Sequence, residues 1–120
     1  MATRSSISVS FPLENKIKTV YCHWDGYPSY NGKLLKTHYN SFEKAKELVE
    51  MGDISSLNES IENTKFFKRD RQEVDVDART YTDINEMLDQ ENQEYDYIFI
   101  NDGWFLTDGE EFFEIDINQD

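Results

Sequence analysis

Residues 95–117 run Tyr95 to Asn101 (YDYIFIN), Asp102-Gly103, Trp104 to Thr107 (WFLT), Asp108-Gly109, and Glu110 to Ile117 (EEFFEIDI). Two Asx-Gly pairs separate three runs rich in aromatic and β-branched residues, which is the pattern of consecutive hairpins. This stretch predicts a three-stranded meander. It decides the fold class, because the rest of the chain then has to supply what covers it.

Working back from residue 95, Thr82 is placed to cap a short helix over about 83–91, with Ile84, Met87 and Leu88 inward. Residues 70–77 read as polar loop or edge strand, 64–69 as a strand with a basic end, 58–63 as loop and 53–57 as a tight connection. Ser41 precedes a helix over 42–51 whose Phe42, Ala45, Leu48 and Val49 share a stripe, and Gly52 stops it. Asn31 is expected to cap a helix over 32–39, with Leu34, Leu35, His38 and Tyr39 on one side. At the start, Ile7, Val9 and Phe11 alternate with Ser6, Ser8 and Ser10, the period of a half-buried strand. Residues 17–24 return as its hairpin partner, with Ile17, Thr19, Tyr21 and His23 on one face and Lys18, Val20, Cys22 and Trp24 on the other. The expected fold is therefore a single α+β domain over residues 1–120: a mostly antiparallel sheet, made of an N-terminal hairpin and a C-terminal three-stranded meander, with about three helices on one face.

A length of 120 residues suits one modest core, and the high aromatic share of 14% suits a core built on Phe, Tyr and Trp. No apolar run approaches the roughly 20 residues of a membrane helix, and residues 1–6 lack the apolar stretch of a signal peptide. A single Cys excludes an internal disulfide framework. The expected location is the cytoplasm of a host cell, with no membrane partner. Residues 1–72 hold eleven Lys/Arg against nine Asp/Glu, whereas residues 73–120 hold one, Arg79, against sixteen, a net −15 within an overall −13. That sign repels nucleic acid and anionic membranes and attracts basic protein surfaces. The residues expected to present it are Asp89, Glu91, Glu94, Asp96, Asp108, Glu110, Glu111, Glu114 and Asp116.

Residues 20–32, Val20 to Gly32, gather three Tyr, one Trp, one His, the Cys and a Pro around a break at Asp25-Gly26. If the first two strands pair, Arg4 lies beside this loop. Arg4, His23, Trp24, Asp25, Tyr27, Tyr30, His38 and Tyr39 then form a candidate pocket for a planar or phosphorylated ligand, by stacking and charge-assisted bonds. The competing reading has Trp24 and Tyr27 wedging the loop against the first helix. Cys22 with His38 as nucleophile and base, and His23 with Asp25 as an acid–base pair, are the two enzymatic readings. For the second, the alternative is an Asp25 carboxylate that caps the turn. Adjacent Cys22 and His23 point to opposite faces of a strand, and two His with one Cys are too few for a closed zinc site. No metal and no cofactor is expected.

The opening Thr3-Arg4-Ser5-Ser6-Ile7, the stretch Tyr21-Cys22-His23-Trp24-Asp25-Gly26-Tyr27, then Leu35, His38-Tyr39, Gly52 to Leu57 and Arg69-Asp70-Arg71 resemble a family of short proteins encoded by bacteriophages and prophages. The resemblance covers roughly residues 1–80. It implies a phage origin and an accessory role, and no reaction. Arg4, His23, Trp24, Asp25, Gly26, Tyr27 and His38 carry over as motif positions without assigned roles. Together these features lead to a non-catalytic phage protein that inhibits a host defence or nucleic-acid-binding protein through its acidic surface. The alternatives are a binder that sequesters a nucleotide signal in the 20–39 pocket, or an enzyme acting on that ligand.

Overall fold

The computed structural model describes residues 2–120. The described residues form one eight-stranded sheet with four α-helices. The strands are β1 (Ser5–Phe11), β2 (Lys16–Cys22), β3 (Ile54–Ser56), β4 (Lys65–Phe66), β5 (Arg79–Tyr81), β6 (Tyr95–Ile100), β7 (Gly103–Thr107) and β8 (Phe112–Glu114). The helices are α1 (Lys33–His38), α2 (Phe42–Val49), α3 (Phe67–Arg71) and α4 (Ile84–Glu91). Along the sheet the order is β4-β3-β2-β1-β6-β7-β8, with β5 also paired to β2.

Both expected units are present, and they are fused. The hairpin pairs Ser5 with Cys22 through Phe11 with Lys16. The meander pairs Ile98 with Phe105 and Leu106 with Phe113. Between them β1 runs parallel to β6, Ser5 opposite Tyr95 and Val9 opposite Phe99. β1 is thus a central strand, and the expectation of a polar face turned to water is overturned. Ser6 and Ser8 are fully buried, like Ile7 and Val9. Their hydroxyls are spent internally, Ser8 with Thr19 at 2.8 Å and Ser6 donating to Asp96 at 2.6 Å.

Helices lie on both faces, not on one. Leu35 of α1 and Ala45, Leu48 and Val49 of α2 join Ile7, Val9, Val20, Cys22, Tyr97 and Phe99 in the main core. Met87 of α4 packs with Ile17 and Ile98 on the opposite face. Strand alternation accounts for the split, since residues 97 and 99 point one way and 98 the other.

Several local expectations change. Residues 54–56 form a strand rather than a plain connection, parallel to β2 and antiparallel to β4. The strand expected over 64–69 shrinks to Lys65–Phe66 and turns into α3. Asp83, not Thr82, caps α4 by accepting from the Glu86 amide at 2.8 Å, while the Glu86 carboxylate accepts from the Thr82 amide and hydroxyl just before the cap. The first hairpin turn of the meander is Asn101-Asp102, both at positive φ (53° and 62°), as the tight two-residue turn requires. Gly103 already belongs to β7. Ser41 does cap α2, accepting from Lys44 N, and Gly52 does end its turn at φ +88°.

Candidate functional site

The 23–32 loop is held from below. Gly26 N donates to Thr3 O at 2.8 Å, and Tyr97 donates its hydroxyl to Gly26 O at 2.6 Å. A Cβ on Gly26 would lie 2.8 Å from Thr3 O and 2.9 Å from Ser5 Cβ, so only glycine permits this approach. The chain start therefore does lie beside the loop. Asn31 does not cap a helix. It is buried in a wide turn, Pro28–Gly32, and its amide donates to Ser5 Oγ, Cys22 Sγ and Trp24 O at 3.3–3.4 Å. The last residues close the other side. β8 stops at Glu114 rather than running to Ile117. Ile115 then packs where a Gly32 Cβ would sit, while Ser29 bonds Gln119 O and Asp120.

The expected pocket residues divide into three groups. Tyr27, Tyr30 and Tyr39 are tied to the protein. Tyr27 donates to Asp25 Oδ1 at 3.2 Å, Tyr30 to Leu57 O at 3.1 Å, and the buried Tyr39 to Asn58 O at 2.8 Å. His38 is exposed, near Glu59, and does not join the inward stripe expected of it. His23 and Trp24 meet at one end of the sheet, where Trp24 is 44% exposed and its ring stands edge-on to His23 at 4.6 Å, and Arg4 falls at the same end because Ser5 pairs with Cys22. Two cavities, of about 550 and 310 Å³, lie elsewhere, one between Phe11, Phe42 and Ile100, the other between Leu88, Leu106 and Phe113.

Neither enzymatic pairing forms. Burial pushes the Cys22 thiol up to about 11, against the Asn31 bond, so it stays a protonated core group. His23 bonds Tyr21 through Nδ1 at 2.6 Å, while Asp25 takes the Tyr27 hydroxyl.

The expected acidic face also divides. Glu91 and Asp96 are buried, so they are internal ligands of other groups and not surface charges. Asp96 accepts from Ser6 Oγ and from Gln93 N, and burial raises its pKa against those bonds. Glu91 takes a bidentate pair from Arg79 at 2.8 and 3.0 Å and the Tyr81 hydroxyl at 2.5 Å. Burial pushes Glu91 up, but Arg79 and Tyr81 outweigh it and hold its pKa below the ordinary value. Arg79 also reaches Asp53 at 2.9 Å. Asp53 meanwhile accepts from Tyr21 N at 2.8 Å. That amide lies at the gap where β3 and β5 share one edge of β2, so the carboxylate supplies a bond the ladder lacks there. Asp89, Glu94, Asp108, Glu110, Glu111, Glu114 and Asp116 are exposed. Asp108 is partly engaged, accepting from the Glu110 and Glu111 amides, which lower its pKa.

Sequence reasoning passed over Tyr21, Ser55 and Arg71. Tyr21 is two residues from His23, hence on its face, a signal already present in the alternation. Arg71 reaches the site only because α3 folds back over β3, where its Nη2 donates to Ser55 Oγ at 3.4 Å. Comparison with protein-family models, with curated proteins and with solved structures gives no match. No helix among the described residues is long and apolar enough to cross a membrane.

Proposed function

We propose that the chain is a non-catalytic, phage-encoded accessory protein that binds a host protein through the acidic β7–β8 end, competing there with nucleic acid. One observation carries this reading. Phe112 and Phe113 on β8 are 42% and 44% exposed, and exposed Glu110, Glu111 and Glu114 flank them. β8 is the last strand in the order and pairs only with β7 among the described residues, so its outer backbone edge is open. As strand neighbours Phe112 and Phe113 lie on opposite faces, Phe112 against Phe105 and Phe113 beside Leu106, so a basic partner on this edge meets an aromatic ring among carboxylates on either face. An open edge offers main-chain bonds to an added strand. The buried thiol, and His23 and Asp25 each engaged by a different tyrosine, favour binding over turnover.

The test is capture of partners from host lysate, followed by affinity measurement on the purified pair at low and high salt. The expected affinity falls steeply with salt, and the triple change Glu110→Gln, Glu111→Gln, Glu114→Gln weakens it without lowering the melting temperature. An affinity indifferent to both salt and this variant contradicts the proposal.

A further inference from the structure

One face of the sheet carries a row of hydrogen-bond donors that the acidic end does not use. Cys22 and Ile54 are register partners and both point into the main core. Their successors, His23 and Ser55, therefore turn to the opposite face. Arg4 reaches that face by the same alternation, following Ser8 and Ser6 back along β1. Its guanidinium lies close enough to the Tyr21 phenol to oppose the rise that burial imposes on it. Arg71 arrives from the other side, stacked on the Phe67 ring at 5.1 Å and bonded to Ser55.

The row is rich in donors. Arg4 and Arg71 can only donate, and Tyr21 shares a hydrogen bond with His23 Nδ1, 2.6 Å away. With Nδ1 engaged by Tyr21, Nε2 is the ring nitrogen left to meet a ligand, and it is a donor when Nδ1 accepts. Among the described residues neither Arg4 nor Arg71 forms an ion pair with a carboxylate, in a chain of net charge −13. Carboxylates beside the row are occupied: Asp25 by the Tyr27 hydroxyl, Asp53 by Arg79 and the Tyr21 amide, and Asp70 by Arg69 and the Phe66 amide. The half-exposed indole of Trp24 stands against His23 at the end of the row.

We propose that Arg4, Tyr21, His23, Trp24 and Arg71 form a binding site for a phosphorylated ligand with a planar ring, that is, nucleotide chemistry. The two guanidinium groups and His23 Nε2 take the phosphate oxygens, and the ring stacks on Trp24. The site is independent of the acidic edge and stands or falls separately from it.

Calorimetric titration of the full chain with the four common nucleoside diphosphates, with pyrophosphate and with adenosine tests this. At least one diphosphate binds, and adenosine, lacking the phosphates, binds on the order of tenfold or more weakly. Arg4→Ala and Arg71→Ala each weaken diphosphate binding on the order of tenfold or more. Both side chains are exposed, so the melting temperature checks that these variants fold. No heat with any diphosphate, or wild-type affinity in both variants, overturns the site. Pyrophosphate binding as tightly as every nucleoside diphosphate overturns the stacking role of Trp24.

Discussion

On one side of β1 and β2, Ile7, Val9, Val20 and Cys22 meet α1 and α2 in a dry core. On the other, the same two strands present Arg4, Ser6, Ser8, Thr19, Tyr21 and His23, and α4 covers the middle of that face with Met87. The first face earns stability from apolar burial, which any well-packed set of side chains of similar volume supplies. The second must satisfy each polar group individually, and it does so through the Asp53–Arg79–Glu91–Tyr81 and Ser6–Asp96 contacts. Groups beyond the reach of α4 are left facing outward. The chemistry-bearing residues therefore lie on the costly face, where the fold stops covering it.

Four changes probe that contrast. The largest effect is expected from Arg79→Leu, which leaves Asp53 and Glu91 in the interior without their cation. Removing one partner of such a group costs about 3 kcal/mol, read as a lower urea midpoint at neutral pH. A loss below about 1 kcal/mol would mean water already screens the network. Next is Gly26→Ala, whose Cβ meets backbone and side chain under 3 Å. It should cost about 2 kcal/mol and loosen the 23–32 loop while the main core survives, as hydrogen exchange would report.

Asp96→Asn comes third. The amide oxygen can still accept from Ser6 and Gln93, and no charge remains to desolvate, so stability at neutral pH should change by less than about 1 kcal/mol. The pH profile gives the sign. Asp96 and Asp53 have raised folded-state pKa values through burial, so the folded state gains stability as pH falls through them. Glu91 has a lowered one, so its stabilisation is present above its unfolded pKa and is lost as pH falls through its folded pKa. The wild type should hold or gain stability on mild acidification and lose it at lower pH. Asp96→Asn should flatten the first part only. The smallest effect is expected from the Glu110, Glu111, Glu114 triple Gln variant, within about 0.5 kcal/mol, since these side chains touch water.

How much of this could be read beforehand follows the range of the interactions. The hairpin, the meander, the Ser41 cap and the Gly52 stop are local, and their residues announce them. The parallel joining of β1 to β6 links residues 90 positions apart, which no local turn specifies. Its trace was the unbroken apolar run Tyr97 to Ile100, typical of a strand covered on both faces. Closeness in sequence groups the candidate pocket residues into one loop cluster. Folding keeps Arg4, His23 and Trp24 together, ties up Tyr27, Tyr30 and Tyr39, and brings in Arg71 from α3. Counting carboxylates likewise could not tell Glu91 and Asp96, which serve the interior, from Glu110 and Glu114, which do not.

The most direct test of two separate working surfaces is an amide and side-chain NMR titration of the labelled full chain with the best-binding nucleoside diphosphate. The expected shifts fall on Arg4, Tyr21, His23, Trp24, Ser55 and Arg71, with Phe112 to Glu114 unmoved. Shifts centred on the β8 edge, or a spectrum that does not respond, would contradict the account.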